Sequence, residues 1–199
     1  MTPEARQRRE AQIMDAAYAV LGDKGFGGVS MLAVARRARA SNETLYRWYG
    51  DKTGLFCALI QFNAAQVTEA LDEVLLQGGE AETVLQAVGK RLLDIELSDK
   101  VVALNRAAAA DNSDTLGPAL AEAETRIVMP RLVQLFARLK AKGRIDTPAN
   151  TAATLWLGLL MGSWQLRCVT GAMPAPDDKA RTGRVAQAMT LVLTPSRTG

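Results

Sequence analysis

Residues 42–49, NETLYRWY, carry the most specific chemistry in the chain. Leu45, Trp48 and Tyr49 fall at i, i+3 and i+4 and share one helical stripe, which leaves Asn42, Glu43, Tyr46 and Arg47 on the opposite face. An amide, a carboxylate, a phenol and a guanidinium then point outward together, with the Thr44 hydroxyl beside them. Such tips pair with base edges and phosphate oxygens. Elsewhere there is no histidine, no nucleophile elbow, no phosphate-cradling glycine loop and no carboxylate set with metal-ligand spacing. Glu69, Asp72 and Glu73 share a helix face but read as solvated charge. Neither an enzyme, a metal site nor a cofactor is expected.

The element that must hold this face in place is Ser30 to Lys52, which reads as two short helices joined by a tight turn. Ser30 and Ser41 stand where N-caps belong. In the first helix Leu32, Ala35 and Ala38 are the expected inward side, the small alanines letting a second helix cross closely. The pattern Arg9, Ile13, Ala17, Leu21, Gly25-Phe26, Ala35, Ala38, Ser41, Thr44-Leu45-Tyr46, Lys52 and Leu55 resembles the DNA-binding end of TetR-family repressors. The match covers about a quarter of the chain, and the remainder is similar to the family in length and helicity. The sequence departs from the family at Arg39, where a glycine is usual in the turn, and at Trp48, where histidine is frequent. The resemblance implies that Tyr46 and Lys52 sit on phosphates, that Asn42, Thr44 and Arg47 lie near base edges, and that Glu43 can accept from cytosine. Ser30, Ser41 and Trp48 complete the implied DNA-binding set.

Composition agrees with that division. Residues 1–52 hold nine Lys/Arg against six Asp/Glu, and residues 53–199 hold fifteen of each, so the whole net charge of +3 lies at the N-terminal end. A hydrophobic content of 48% suffices for a buried core. The longest apolar-rich run, Leu155 to Trp164, is about half the roughly 20 residues a bilayer span needs, so an unexported cytoplasmic protein is expected. Cys57 and Cys168 lack ligand-like spacing and read as packed thiols.

Helical signals recur along the chain without strand-like alternation, giving an all-α fold of about nine helices. The first runs from about Pro3 to Lys24 and ends at Gly25, with Arg6, Arg8 and Arg9 at its start either as a phosphate-seeking arm or as solvated helix-end charge. A long helix from Thr53 to about Gln77 follows, then Glu80–Leu97, Asp99–Ala110 and Leu116–Lys142, the last with a kink expected at Pro130. Thr147-Pro148 reads as an N-cap with proline at the first position of a helix reaching Val169, and a final helix runs from Asp177 to Leu193.

The Thr147 helix is apolar almost all round, so both of its sides need cover. One side can face its own domain. The other, with Leu155, Gly158, Leu159, Gly162 and Leu166, can pair with a second copy together with Val185, Met189 and Val192 of the last helix, although a purely intrachain core would show the same pattern. The family resemblance favours a homodimer. It also implies a pocket for a small-molecule inducer of partly apolar character: Met129, Trp156, Met161 and Trp164 supply adaptable surface, while Asn105, Arg106 and Gln165 supply polar groups, although a tryptophan in a helical core is more often packing than ligand contact. The expectation is thus a three-helix DNA-binding module, residues 1–52, followed by a ligand-binding and dimerisation domain, residues 53–199. Its partners would be double-stranded operator DNA, the inducer and a second copy, with no membrane. A helical small-molecule-binding or adaptor protein that does not read DNA is the alternative.

Overall fold

A computed structural model describes residues 2–194. The chain is helical: α1 (Pro3–Gly28), α2 (Met31–Arg37), α3 (Asn42–Tyr49), α4 (Lys52–Leu76), α5 (Ala81–Glu96), α6 (Asp99–Ala109), α7 (Leu116–Ala123), a π-helical turn (Glu124–Val128), α8 (Met129–Ala141), α9 (Ala149–Met161), α10 (Trp164–Val169) and α11 (Asp178–Val192). Two interruptions separate this list from nine rods. One is the π turn between α7 and α8, and the other is Gly162 between α9 and α10. No described helix is long and apolar enough to cross a membrane.

The chain packs as two compact units. The first takes the residues up to Ala64 and Asp99–Glu122, and the second takes Ala65–Ser98 and the residues from Ala123 onward. In the first unit α1 packs on α2 and α6, and α2 packs on α3. Ile13, Met14 and Ala17 of α1 meet a core that includes Val34, Leu45, Leu55, Phe56 and Leu104, all fully buried. Gly25, with φ 64° and ψ 171°, breaks α1 where the sequence placed its end. Phe26 then turns its ring edge-on to Phe56 at 5.0 Å.

The second helix of the motif is placed as expected, and the first keeps Ala35 and Ala38 inward but turns Leu32 out. Leu32 is 46% exposed, whereas Met31, Val34, Ala35 and Ala38 face inward. Because Ser30 is the N-cap, with its Oγ accepting from Ala33 N at 3.2 Å, the buried stripe starts at Met31 and continues at i+3, i+4 and i+7. Leu32 belongs to the outer side.

In the second unit α8 packs on α9, and α5 and α9 both pack on α11. Gly89 lets two side chains come close: a Cβ there would stand 2.9 Å from both Trp156 Cζ2 and Val185 Cγ1. Pro130 produces a π turn where a kink was expected. The N–H of Met129 reaches back to Glu124 O, one residue further than in an α-helix, and Arg131 Nη1 donates to Ile127 O at 3.1 Å. The extra residue accommodates a proline ring and a missing donor without ending the helical path. Thr147 is not the cap of α9. Pro148 is, in an extended conformation and with no side-chain cap bond, and the carbonyl of Thr147 accepts from Lys140 Nζ at 3.2 Å.

Candidate nucleic-acid interface

The recognition face rests on two serine caps and one buried leucine. Ser41 Oγ accepts from Thr44 N at 3.0 Å and lies 2.8 Å from Thr44 Oγ1, so Thr44 is occupied at the first turn of α3. Leu45 is fully buried, while Asn42, Glu43, Tyr46 and Arg47 are exposed, Tyr46 at 50%. Arg47 Nη1 lies 4.0 Å from Glu43 Oε1 across one helical turn, with both side chains mostly in solvent. That pair costs little to open.

Trp48 and Tyr49 face inward and are half-buried, their rings 6.2 Å apart. The guanidinium of Arg6 stands 5.5 Å from the centre of the Trp48 ring, so Arg6 braces α3 from α1. Arg6, Arg8 and Arg9 therefore lie on the helix itself, which Thr2 caps by accepting from Ala5 N at 3.2 Å. Burial, followed by the nearby Glu10 carboxylate, pushes the Tyr49 phenol up to about 12. Lys52 opens α4 but turns inward: its ammonium donates to Phe26 O and stands 3.9 Å from the Phe26 ring centre. A phosphate at Lys52 would have to use the ammonium's remaining donors.

The residues suggested for a ligand divide between the two units. Asn105 and Arg106 belong to the first, and Asn105 Nδ2 donates to Val101 O at 2.9 Å within its own helix. Met129, Trp156, Met161, Trp164 and Gln165 belong to the second. Trp156 is fully buried beside Phe136, ring centres 5.9 Å apart, and its indole Nε1 has no protein acceptor. It is a core residue of this unit. Trp164 lies under Arg184, whose guanidinium carbon is 4.3 Å from the ring centre. Met129 and Met161 are half-buried. Gln165 Nε2 donates to Glu96 Oε2 at 3.1 Å.

Sequence patterns did not mark Glu96. Burial, then the Glu124 carboxylate, raises its carboxyl to about 7 from an ordinary 4.5. A carboxyl with a folded pKa above its unfolded one is a stabilising influence in full below about 4.5, and that influence is lost as pH climbs through 7. Glu96→Gln keeps an acceptor for Gln165 and removes the charge. The variant should melt like wild type near pH 5 and higher than wild type near pH 8, by roughly 5 °C. Identical melting curves across both conditions would show that Glu96 ionises freely.

The suggested interface residues also divide. Leu155 at 53% and Leu166 at 66% exposure lie on an outer face with Gly158, Leu159 and Gly162, opposite the buried Ala152, Ala153, Trp156 and Leu160. Val185 does not share that face. It is fully buried in its own unit against Gly89, because α11 turns Val185 and Ala188 inward. Met189 and Val192 are half-buried, and Ala180, Ala186 and Leu191 are exposed apolar positions of α11.

Three N-terminal helices that present a capped, outward-facing polar recognition helix, on a chain with a second helical unit, mark a helix-turn-helix DNA-binding regulator. Residues 13–59 match the model of the tetR family of bacterial regulatory proteins, and residues 83–195 match that of the AefR-like transcriptional repressor C-terminal domain. The chain belongs to the TetR family, and is a ligand-responsive, DNA-binding transcriptional regulator. It is 29% identical to the HTH-type transcriptional repressor KstR of Mycolicibacterium smegmatis over 175 residues, 87% of this chain and 69% of the relative. A TetR-family regulator structure from Mesorhizobium loti superposes with a TM-score of 0.81 at 25% identity, covering 96% of each chain. FadR of Bacillus subtilis, solved with stearoyl-CoA, shares the fold at a TM-score of 0.74 and 14% identity, over 92% of this chain and 97% of that one.

Proposed function

We propose that the protein is a homodimeric repressor that leaves a palindromic operator when a partly apolar small molecule binds within residues 53–199. The observation that carries the DNA half is the outer face of α3: Asn42, Glu43, Tyr46 and Arg47 stand in solvent while Leu45 and the Ser41 cap fix the helix beneath them. Two copies related by a two-fold axis would place their α3 helices in successive major grooves, about 34 Å apart. Residues 1–52 serve this reading, and α4 belongs to both packed units, so a ligand that favours one position of α4 changes the separation of the two recognition helices. The exposed apolar face of α9 supports the dimer. The half-buried Met129 and Met161 support a ligand of apolar character.

Arg47 tests the base-reading role. Its fork suits guanine O6 and N7, and its pairing with Glu43 is exposed and weak. Arg47→Ala should cost roughly 1–3 kcal/mol on a duplex that wild type selects from a random pool, and much less on a scrambled duplex. Titrations at several salt concentrations separate this from a phosphate contact, whose loss lowers both affinities and the salt slope together. Equal losses on the two duplexes would remove Arg47 from base readout.

A further inference from the structure

The turn between α2 and α3 contains a residue that the backbone resists. Arg39 has φ 52°, a left-handed conformation in which a Cβ is penalised. Around it α2 ends in a Schellman arrangement: Arg39 N donates to Arg36 O at 3.2 Å and Ala40 N to Ala35 O at 2.9 Å. Those bonds use the carbonyls of Ala35 and Arg36. The carbonyls of Ala38 and Arg39, past the end of α2, are taken by a side chain from α1. Arg9 donates from Nη1 to Ala38 O at 3.3 Å and from Nη2 to Arg39 O at 2.6 Å, while Gln12 Oε1 accepts from Nη1 at 3.1 Å and steadies the guanidinium.

We propose that Arg9 is a positioning residue for DNA binding: its guanidinium clamps the carbonyls of Ala38 and Arg39 and holds the helix-turn-helix turn in a shape that Arg39 alone disfavours. The planar fork spans two successive carbonyls, which an ammonium on a flexible stem does not do. An open groove of about 500 Å³ beside the turn is lined by residues of α1 and of the α2 end and turn, so α1 is the support on this side. The lever is short. Ser41, the cap of α3, follows Arg39 by two residues, and the direction of the recognition helix is inherited from residues 38–41. Arg9 contacts no DNA in this account and acts through the turn.

The inference rests on the DNA-binding reading, and a double-mutant cycle separates the two. Wild type, Arg9→Ala, Arg39→Gly and the double variant are compared by thermal melting and by anisotropy titration on a duplex selected from a random pool by wild type. Arg9→Ala should bind about tenfold more weakly. Arg39→Gly alone should stay within about threefold of wild type, and the double variant should regain about threefold or more over Arg9→Ala, because glycine adopts the turn without a clamp. The melting temperatures should show the same coupling with no DNA present. Arg9→Lys, which keeps the charge and loses the fork, should behave like Arg9→Ala. Losses that simply multiply, in melting and in binding, overturn the clamp. Coupling in melting without coupling in binding overturns its positioning role, and full affinity in Arg9→Lys makes Arg9 a phosphate contact instead. Should wild type select no sequence from the pool, the DNA reading fails, while the melting cycle still decides whether the clamp exists.

Discussion

Gly54→Ala is expected to lower the melting temperature by roughly 5–10 °C and to remove measurable operator binding at protein concentrations where wild type saturates. Gly54 is the third residue of α4, and its N–H donates to Asp51 Oδ1 at 2.8 Å. The chain reaches it through a tight reversal: Gly50 at φ 77° donates to Tyr46 O at 2.8 Å, and Asp51 N donates to Tyr49 O at 2.9 Å. That reversal presses the Tyr49 carbonyl, at the end of α3, against the bare Cα of Gly54. An alanine Cβ would land on the Tyr49 oxygen. Backbone atoms have no rotamer to escape into, so either α3 or α4 must move. Leu45 holds α3 in the core and Leu55 and Phe56 hold α4 there, all fully buried. Overpacking a well-filled site costs about 1–3 kcal/mol, and a clash with backbone belongs at or above the top of that range. The gain of about 1 kcal/mol from replacing glycine by alanine in a helix does not offset it. Gly22→Ala in α1 is the control, since a Cβ there meets nothing within 4 Å. It should melt at or slightly above wild type. A Gly54→Ala protein with wild-type melting and binding would show that the α3–α4 junction has slack.

The recognition helix was legible in the sequence because everything that defines it is local. A serine cap, a stripe at i, i+3 and i+4 and a polar remainder occupy nine residues, 41–49, and need no partner to be recognised. The same locality misled at Leu32. Its apolar side chain completes a plausible stripe with Ala35 and Ala38, yet those two are buried together with Met31 and Val34, and Leu32 falls on the solvent side of that stripe. Val185 illustrates a different limit. Whether an apolar residue of α11 faces its own unit or a second copy depends on the rotation of α11 against α5, and that rotation follows from Gly89, 96 positions away in sequence, admitting Val185 and Trp156 closely. Trp156 was readable as packing or as ligand surface, and its full burial beside Phe136 makes it core. The contacts of Glu96 and Arg9 were hidden for the same reason: each side chain is of an ordinary surface type until α10 or the end of α2 comes to meet it.

A dimer built on α9 should respond to Gly158→Leu by coming apart while each chain remains as stable as before or more so. Gly158 lies in the helix interior on the exposed face with Leu155 and Leu159, and a Cβ there meets nothing within 4 Å in its own chain. Within the monomer the substitution therefore replaces a poor helix former by a good one, worth about 1 kcal/mol. Across a two-fold interface the same leucine enters twice, once from each subunit, where two helices approach over a glycine. At about 1–3 kcal/mol of overpacking per site, dimer affinity falls by roughly 30-fold to more than 1,000-fold. Operator affinity should fall with it, because each half-site alone binds weakly. Gly162 cannot serve this test. Its φ of 48° and ψ of −134° exclude other residues, and Arg184 Nη1 stands 3.2 Å from where its Cβ would be. Sedimentation of wild type and Gly158→Leu over nanomolar to micromolar concentrations, with melting curves on the same samples, reads both effects. Weakened association with unchanged or raised melting supports the α9 face as the dimer contact. An unchanged dimer would mean that Leu155, Gly158 and Leu159 face solvent in the assembled regulator, and that the two recognition helices are paired through some other surface.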